Sequence, residues 1–477
     1  MLIKGIIFDL DNTIYDYNNA HKKAVKKLFE YLEIKETDYK KYNHTVKNNL
    51  GHHSASSHNK ILTIKLICED LGILPEKILE INEIYHNAFL ENMILYDNII
   101  DFLELCKKNN IKICILTDYI LEFTYKKLEK INIFKYIDCV VTSEEIGYDK
   151  PNKLMFYGAL EKLKLKNNEV IMIGDNYEKD IIGGNSINIY GLWFAKNNII
   201  TEKYIEFNNY NYIINLFHNL FIELEKLINI CNFCGNKFDL VQAGGGNISF
   251  KYDNFMVIKS SGYHLSKVNK YNGFSILNNT NLLIHINNDI YDNLDNYLLI
   301  TPNKASIESY MHSFLQKYVV HLHPLAVNII LCRKDAKEII NNLFEENLFI
   351  DYILPGEELS KEIYSKYNDQ KIIFLKNHGI IITSNDIEEC YELIENINDK
   401  CEKFLDINLD KYKNFEIKQH LYPDSVIYNK NNYEIFKTSS IILKNNDINN
   451  LDYLSKNDIN DINNYEKDRK KIIYKEN

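Results

Sequence analysis

Apolar and polar positions follow two rhythms along the chain. A short apolar run, LIKGIIF over residues 2–8, is bounded by acids and predicts a buried strand; residues 19–95 then show helical spacing with few turn signals. From residue 96 the two rhythms take turns: a helix through IIDFLELCKKN, a strand at IKICILTD, a helix through LEFTYKKLEKI, and strands near DCVVTS, EVIMIGD and GLWFA. This β–α alternation predicts a parallel, doubly wound sheet of α/β class, interrupted by a helical insertion after its first strand.

The polar stretch AKNNIITEKYIEFNNYN, residues 195–211, reads as a strand remnant and a linker. A helix is predicted from Ile213 to about Cys231. The second half mixes short strands (ISFKY, FMVIKS, YVVHLHP, KIIFLKNHG, GIIITS) with helices near 306–318, 335–346 and 386–406, again α/β. After residue 445 the chain is rich in Asn and Lys and gives little helical signal. The expected organisation is a first domain over 1–205 with its helical insertion at about 15–90, a second over 213–430, and a tail over 431–477.

Composition supports two soluble domains. The 477 residues exceed what one core ordinarily serves, and 45% hydrophobic with 26% charged residues is globular rather than disordered. A net charge of -10, with Lys and Arg scattered among acids, offers no footprint for nucleic acid. No apolar run approaches the roughly 20 residues needed to cross a bilayer, and MLIKGIIFDLDNT contains no cleavage site, so a cytoplasmic location without membrane partners is expected. The nine cysteines mostly sit in apolar runs, which predicts buried thiols and no disulfides. Cys231 and Cys234 in NICNFCGN lack a second pair at finger spacing and read as ordinary thiols near a helix end.

Asp9 and Asp11 in FDLDNT fall at the end of the first strand, where open α/β sheets bind ligands. Paired acids on a loop commonly just face water. Here further motifs follow in order, each expected at a strand end: Thr117 in ILTD, Lys150 in DKP, and Asp175 and Asp180 in GDNYEKD. The set suits phosphoryl transfer, with one carboxylate to attack phosphorus and a second to move protons. Fixed positive charge would come from Lys150 and a magnesium ion, and Thr117 could bond a phosphate oxygen. At these residues the first 200 or so positions resemble the haloacid dehalogenase superfamily, whose core is Rossmann-like. The resemblance implies Asp9 as nucleophile, Asp11 as acid/base residue, and magnesium held by Asp9, Asp11 and Asp175. It implies also that Asp11 marks a phosphatase rather than a dehalogenase, and that residues 15–90 form a substrate-selecting cap.

In the second half, His321 and His323 in VVHLHP lie two apart on a predicted strand and so share a face. His378 in FLKNHGI could be a third nitrogen donor, leaving a position open for substrate. Glu308 in SIESYMH is a candidate fourth ligand or general base. Two small-residue loops, AGGGNIS and KSSG, could cradle a phosphate with backbone N–H groups. The order GGGNIS, KSSG, SIE, HLH, NHG resembles the class II aldolase and adducin family over about residues 215–430; GGGN and the later YPDSVIY are most like its rhamnulose-phosphate-aldolase-like branch.

That likeness implies an α/β/α domain in which His321, His323 and His378 bind zinc or another divalent cation. Glu308 would be the acid/base residue, and Asn247, Ser261, Gly262 and Ser306 would hold the substrate phosphate. It also implies a homo-oligomer, possibly a tetramer. Ala305 and His264 depart from the branch's pattern, which bears on the aldehyde rather than on the metal. The expected function is bifunctional: aldol addition or cleavage of a ketose phosphate, from dihydroxyacetone phosphate and an aldehyde, coupled to magnesium-dependent hydrolysis of a phosphate monoester. The alternatives are a sugar-phosphate epimerase or dehydratase, or a phosphatase carrying a non-catalytic oligomerisation domain.

Overall fold

The computed structural model describes residues 3–34, 36–50, 55–201, 203–299, 303–406, 421–428 and 433–473. The chain forms two compact units, Met1–Asn219 and Leu220–Asn477, each mixed α/β. No helix among the described residues is long and apolar enough to cross a membrane.

The sheet of the first unit comprises β1 (Gly5–Phe8), β2 (Lys112–Thr117), β3 (Cys139–Thr142), β4 (Val170–Gly174), β5 (Tyr190–Phe194), β6 (Ile199–Ile200) and β7 (Tyr204–Phe207), in the order β3-β2-β1-β4-β5-β7-β6. All neighbours pair in parallel except β6 with β7. All four residues of β1 are buried, as an interior parallel strand covered on both faces requires. Chain order runs outward from β1 through β2 to β3, then returns to β4 on the other side. This reversal opens a crevice at the carboxyl ends of β1 and β4. Phe8 sits opposite Ile115 and Ile173, so the residues just beyond β1, β2 and β4 emerge at one edge.

Residues 195–211 are not a linker. The strand remnant read there is β7, buried at Ile205, Glu206 and Phe207, which extends the sheet by pairing with β5.

Between β1 and β2 the described chain is helical: α1 (Tyr17–Leu32), α2 (Glu36–Leu50), α3 (Ala55–His58), α4 (Lys60–Asp70) and α5 (Ile78–Glu91), with α6 (Ile99–Lys108) leading back to the sheet. Asp16 caps α1 by accepting from the Asn19 amide, and Ala20, Ala24, Val25, Leu28 and Phe29 form its buried stripe. That stripe packs against α5, whose buried positions are Ile81, Tyr85, Ala88 and Phe89.

A helix over Tyr210–Gly235 runs longer at both ends than the sequence predicts and holds Cys231 and Cys234 buried. Both are free thiols, as are the other cysteines. The second sheet comprises β8 (Asn247–Tyr252), β9 (Phe255–Lys259), β10 (Phe274–Asn278), β11 (Tyr318–Leu322), β12 (Leu348–Ile350), β13 (Ile372–Leu375) and β14 (Gly379–Ser384), ordered β10-β9-β8-β11-β14-β13-β12. Only β12 and β13 pair in parallel. β10, β12 and the helices Asn279–Asn287 and Glu357–Lys366 lie in stretches left unassigned by hydrophobic pattern, and the helix expected over 306–318 spans only Ser309–Phe314.

The tail is more structured than its composition suggests. Helices cover Tyr433–Lys444 and Lys456–Ile473, and Ile441, Ile442 and Leu451 pack on Leu325, Ile329 and Cys332. A few apolar anchors suffice there, and an Asn- and Lys-rich exposed surface masks them.

Candidate active sites

In the first unit, residues beyond β1, β2 and β4 line a cavity of about 280 Å³. Asp9 follows β1 and is 6% exposed. The Thr13 hydroxyl donates to Asp9 Oδ2 (2.9 Å) and accepts from the Asp175 amide (3.0 Å), tying the loops after β1 and β4 together. Lys150, buried, donates from Nζ to Asp9 Oδ1 (2.5 Å), Asp180 Oδ1 (2.7 Å) and the Leu116 carbonyl (3.2 Å). Burial works against this ammonium, but the Asp180 and Asp9 carboxylates hold its pKa well above the usual range. Lys150 is not at a strand end: it lies in the loop after a short helix, where its amide donates to Asp118 Oδ1 (2.8 Å).

Three carboxylates converge here. One oxygen each from Asp9, Asp175 and Asp180 lies within 4.8 Å of the others. Burial first, and then the neighbouring carboxylates against the pull of Lys150, pushes Asp9 well up; burial and Asp180 push Asp175 up to about 6. Three acids facing one lysine leave negative charge that a divalent cation with oxygen preference would neutralise, so the donor set fits such an ion. Gly174 makes the approach possible, since a Cβ there would lie 2.3 Å from Asp180 Oδ2.

Of the expected cation ligands Asp9, Asp11 and Asp175, the side chains of Asp9 and Asp175 lie in this cluster together with Asp180, and the Asp11 side chain is turned to other partners. The Asp11 carboxylate is held by Lys127 Nζ at 2.8 and 2.9 Å and by the Tyr15 hydroxyl at 2.5 Å. Lys127, on the helix Leu121–Lys130, is wholly buried, with the rings of Tyr15, Tyr17, Phe89, Tyr119 and Phe123 between 4.2 and 5.9 Å from Nζ. Its sequence context, KKLEK, looks like a solvated helix face, and no motif signals it. Thr117 ends β2, buried, on the wall of the same cavity.

In the second unit, β11 lies between β8 and β14 and ends at the expected histidines. His321 Nδ1 pairs with the Ile380 carbonyl (2.8 Å) and His323 Nδ1 with Asp424 Oδ2 (2.7 Å). Each partner is an acceptor, so each Nδ1 carries a proton and each Nε2 is the atom turned to the cluster. The two Nε2 atoms face one another at 3.1 Å. His378, in the β13–β14 turn, completes the cluster: its ligand nitrogen lies within 4.8 Å of the others, and its buried Nδ1 has no hydrogen-bond partner. Lone pairs converging at this distance repel unless a proton or cation lies between them, so the imidazoles fit a borderline-soft divalent ion. Burial, followed by His321 and His323, pushes His378 well down, keeping it a neutral donor.

Glu308 Oε1 lies 3.2 Å from His321 Nε2. Burial raises this carboxyl, but the imidazoles of His321 and His378 outweigh it and hold it well below the carboxylate range. A cavity of about 150 Å³ opens beside the cluster, and all four expected phosphate-holding residues line it: Asn247, Ser261, Gly262 and Ser306. The Asn247 side-chain oxygen is buried without a partner.

Two residues here escaped the sequence reading. Lys259, 3% exposed, reaches the cavity and donates to the carbonyls of Gly244 (3.1 Å) and Gly246 (3.0 Å), so the glycine loop is braced by a cation. Asp424, within the YPDSVIY segment used for the resemblance, orients His323. Gly245 leaves it room, since a Cβ there would meet Asp424 Oδ2 at 2.6 Å and His323 Nδ1 at 2.8 Å. The signal for Asp424 was the segment itself, but 101 residues of sequence separate it from His323.

The two halves match two different known families. Residues 6–193 match the family described as haloacid dehalogenase-like hydrolase, and residues 225–405 match the class II aldolase and adducin N-terminal domain. A ribulose-1,5-bisphosphate 5-phosphatase of Halopiger xanaduensis is 32% identical over 201 residues, 40% of this chain and 84% of that protein. A glyceraldehyde 3-phosphate phosphatase of Methanocaldococcus jannaschii is 31% identical over 186 residues, 38% of this chain and 79% of the relative. Among solved structures, an N-terminal class II aldolase domain from Thermoplasma acidophilum is 23% identical at a TM-score of 0.36, covering 44% of this chain and 100% of that one. The second half matches the class II aldolase and adducin N-terminal domain model, and through its first half the chain belongs to the haloacid dehalogenase-like hydrolases.

Proposed function

We propose that the chain is a bifunctional sugar-phosphate enzyme, hydrolysing a phosphate monoester in its first unit and making or breaking a carbon–carbon bond of a ketose phosphate in its second. For the hydrolase, Asp9 attacks phosphorus through a carboxylate oxygen and forms an aspartyl-phosphate, while the alcohol oxygen leaves. Asp11 gives that oxygen its proton and then takes one from the water that hydrolyses the acyl phosphate. Its grip by Lys127 and Tyr15 supports a residue kept apart from the nucleophile and fixed in orientation. Thr117 and Lys150 would bind phosphate oxygens. Magnesium held by Asp9, Asp175 and Asp180 would supply the positive charge that a dianionic phosphoryl group needs. The similar ribulose-1,5-bisphosphate 5-phosphatase of Halopiger and glyceraldehyde 3-phosphate phosphatase of Methanocaldococcus support a sugar or triose phosphate as the substrate class.

For the lyase, zinc or a similar ion held by His321, His323 and His378 would polarise the carbonyl and hydroxyl of the ketose phosphate. Glu308 moves the proton at the reacting carbon or its hydroxyl. Asn247, Ser261, Gly262 and Ser306 bind the phosphate, with Lys259 adding charge behind the loop. The observation that carries this half is the pair of Nε2 atoms facing each other at 3.1 Å with both Nδ1 protons already committed.

The test is to incubate the purified chain with dihydroxyacetone phosphate and a panel of aldehydes, scoring ketose formation and free phosphate together. Both are expected for at least one aldehyde. Phosphate release without carbon–carbon chemistry for every aldehyde would remove the lyase assignment.

A further inference from the structure

Among the described residues, the lysines around the first cavity are paired with carboxylates except for two. Lys150 is engaged by Asp9 and Asp180, Lys127 by Asp11, and Lys179 by Asp118 at 2.7 Å. Two further lysines line the cavity from the helical insertion, Lys60 at the start of α4 and Lys47 near the end of α2. Among the described residues neither ammonium has a hydrogen-bonding or ion-pair partner, although Lys60 is only 7% exposed.

An unpaired buried ammonium is costly, and this one is poorly sited for any purpose within the free protein. Lys60 is the first residue of an 11-residue helix, whose amino end carries positive partial charge and disfavours a cation. The nearby Lys47 adds like charge. Burial first, then Lys47 and Lys127, outweigh the more weakly acting Asp11 carboxylate and pull Lys60 down to about 8, which leaves it largely protonated at neutral pH. A buried cation beside a second cation, at the positive end of a helix and on a cavity wall, lacks an anion. The ester phosphate is already provided for by Lys150, Thr117 and the carboxylate-held cation, so the missing anion is a different group.

We propose that Lys60, with Lys47 beside it, forms an oxyanion subsite, and that the substrate of the hydrolase unit carries a second anionic group, a carboxylate or a second phosphate, besides the ester it loses. This rests on the phosphatase reading above and narrows its substrate class. Lys60 contributes to binding and selection rather than to bond breaking, so its effect falls mainly on KM.

The experiment uses the full chain with magnesium and two matched substrate pairs: 3-phosphoglycerate against glycerol 3-phosphate for the carboxylate, and propane-1,3-diol bisphosphate against propyl phosphate for the second phosphate. In at least one pair the native protein is expected to favour the doubly anionic member by about 30-fold in kcat/KM, the scale of one charge-assisted contact. The pair that discriminates identifies the group. Lys60→Met should compress that ratio to about threefold or less, and Lys60→Arg should restore most of it. Lys60→Met should also melt no lower than the native protein, because it removes an unpaired buried charge. Equal kcat/KM within both native pairs, a ratio unchanged by Lys60→Met, an equal loss on both members, or a lower melting temperature would each overturn the subsite. Calorimetric titration of the same four compounds into Asp9→Asn reads the subsite without turnover. Discrimination in binding with no phosphate release from native protein would sink the phosphatase reading and leave the subsite standing.

Discussion

The two sites hold charge in opposite ways. In the first unit the donors are carboxylates at the ends of parallel strands, and their charge is met by buried lysines: Lys150 between Asp9 and Asp180, Lys127 against Asp11. In the second unit the clustered donors are imidazoles at the ends of antiparallel strands, each turned Nε2 inward by an acceptor on the far nitrogen, Ile380 for His321 and Asp424 for His323. Oxygen donors with excess negative charge suit a hard cation such as magnesium, whereas fixed imidazole nitrogens suit zinc. On the proposed reading, the two sites can therefore be served by different ions within one chain without competing for the same one.

The sharpest way to break that comparison is at Asp9. Asp9→Asn should lower phosphate release by about a thousandfold or more, since the amide cannot act as nucleophile, while ketose formation stays within about twofold of native. A comparable loss in ketose formation would show that the sites are not independent. Next in size, His378→Ala should cut ketose formation by at least about a hundredfold and leave phosphate release intact, as measured by coupled assay of both products. Asp424→Asn sharpens the contrast further. The neutral amide no longer fixes the His323 tautomer as a carboxylate does, and zinc affinity should fall about 10- to 100-fold in competition with a chelating dye.

The smallest effect belongs to Lys127→Met. The Asp11 carboxylate loses its ion pair but keeps Tyr15 and partial exposure, so urea unfolding should show a loss of about 2 kcal/mol, below the ~3–5 kcal/mol typical of a broken, fully buried pair. Turnover of the phosphate ester should fall about tenfold as Asp11 loosens. An unchanged kcat would mean that the aromatic cage around Lys127 serves packing alone.

Much of this was legible in the chain because the relevant residues follow directly on strong strand signals. Asp9 after GIIF, Thr117 in ILTD, Asp175 after VIMIG and the HLH of β11 are all cases where an apolar run fixes which way the next polar residue points. What stayed hidden lacks that local cue. Lys127 sits in a helix stretch of alternating charges, and its burial depends on five rings drawn from separate segments. Asp180 was visible as a motif, but its role over Asp11 in the carboxylate cluster depends on Lys150 and Gly174, which only the fold brings together. Asp424 was masked by its distance in sequence from His323.

The central claim is that the imidazole cluster is a metal site separate from the carboxylate cluster. Its most direct test is equilibrium dialysis of the native chain, Asp175→Asn and His378→Ala against dilute zinc in excess magnesium, followed by elemental analysis. About one zinc per chain should remain on the native protein and on Asp175→Asn, and essentially none on His378→Ala. A native chain that retains no zinc, or zinc that departs with Asp175 and stays without His378, would contradict the account.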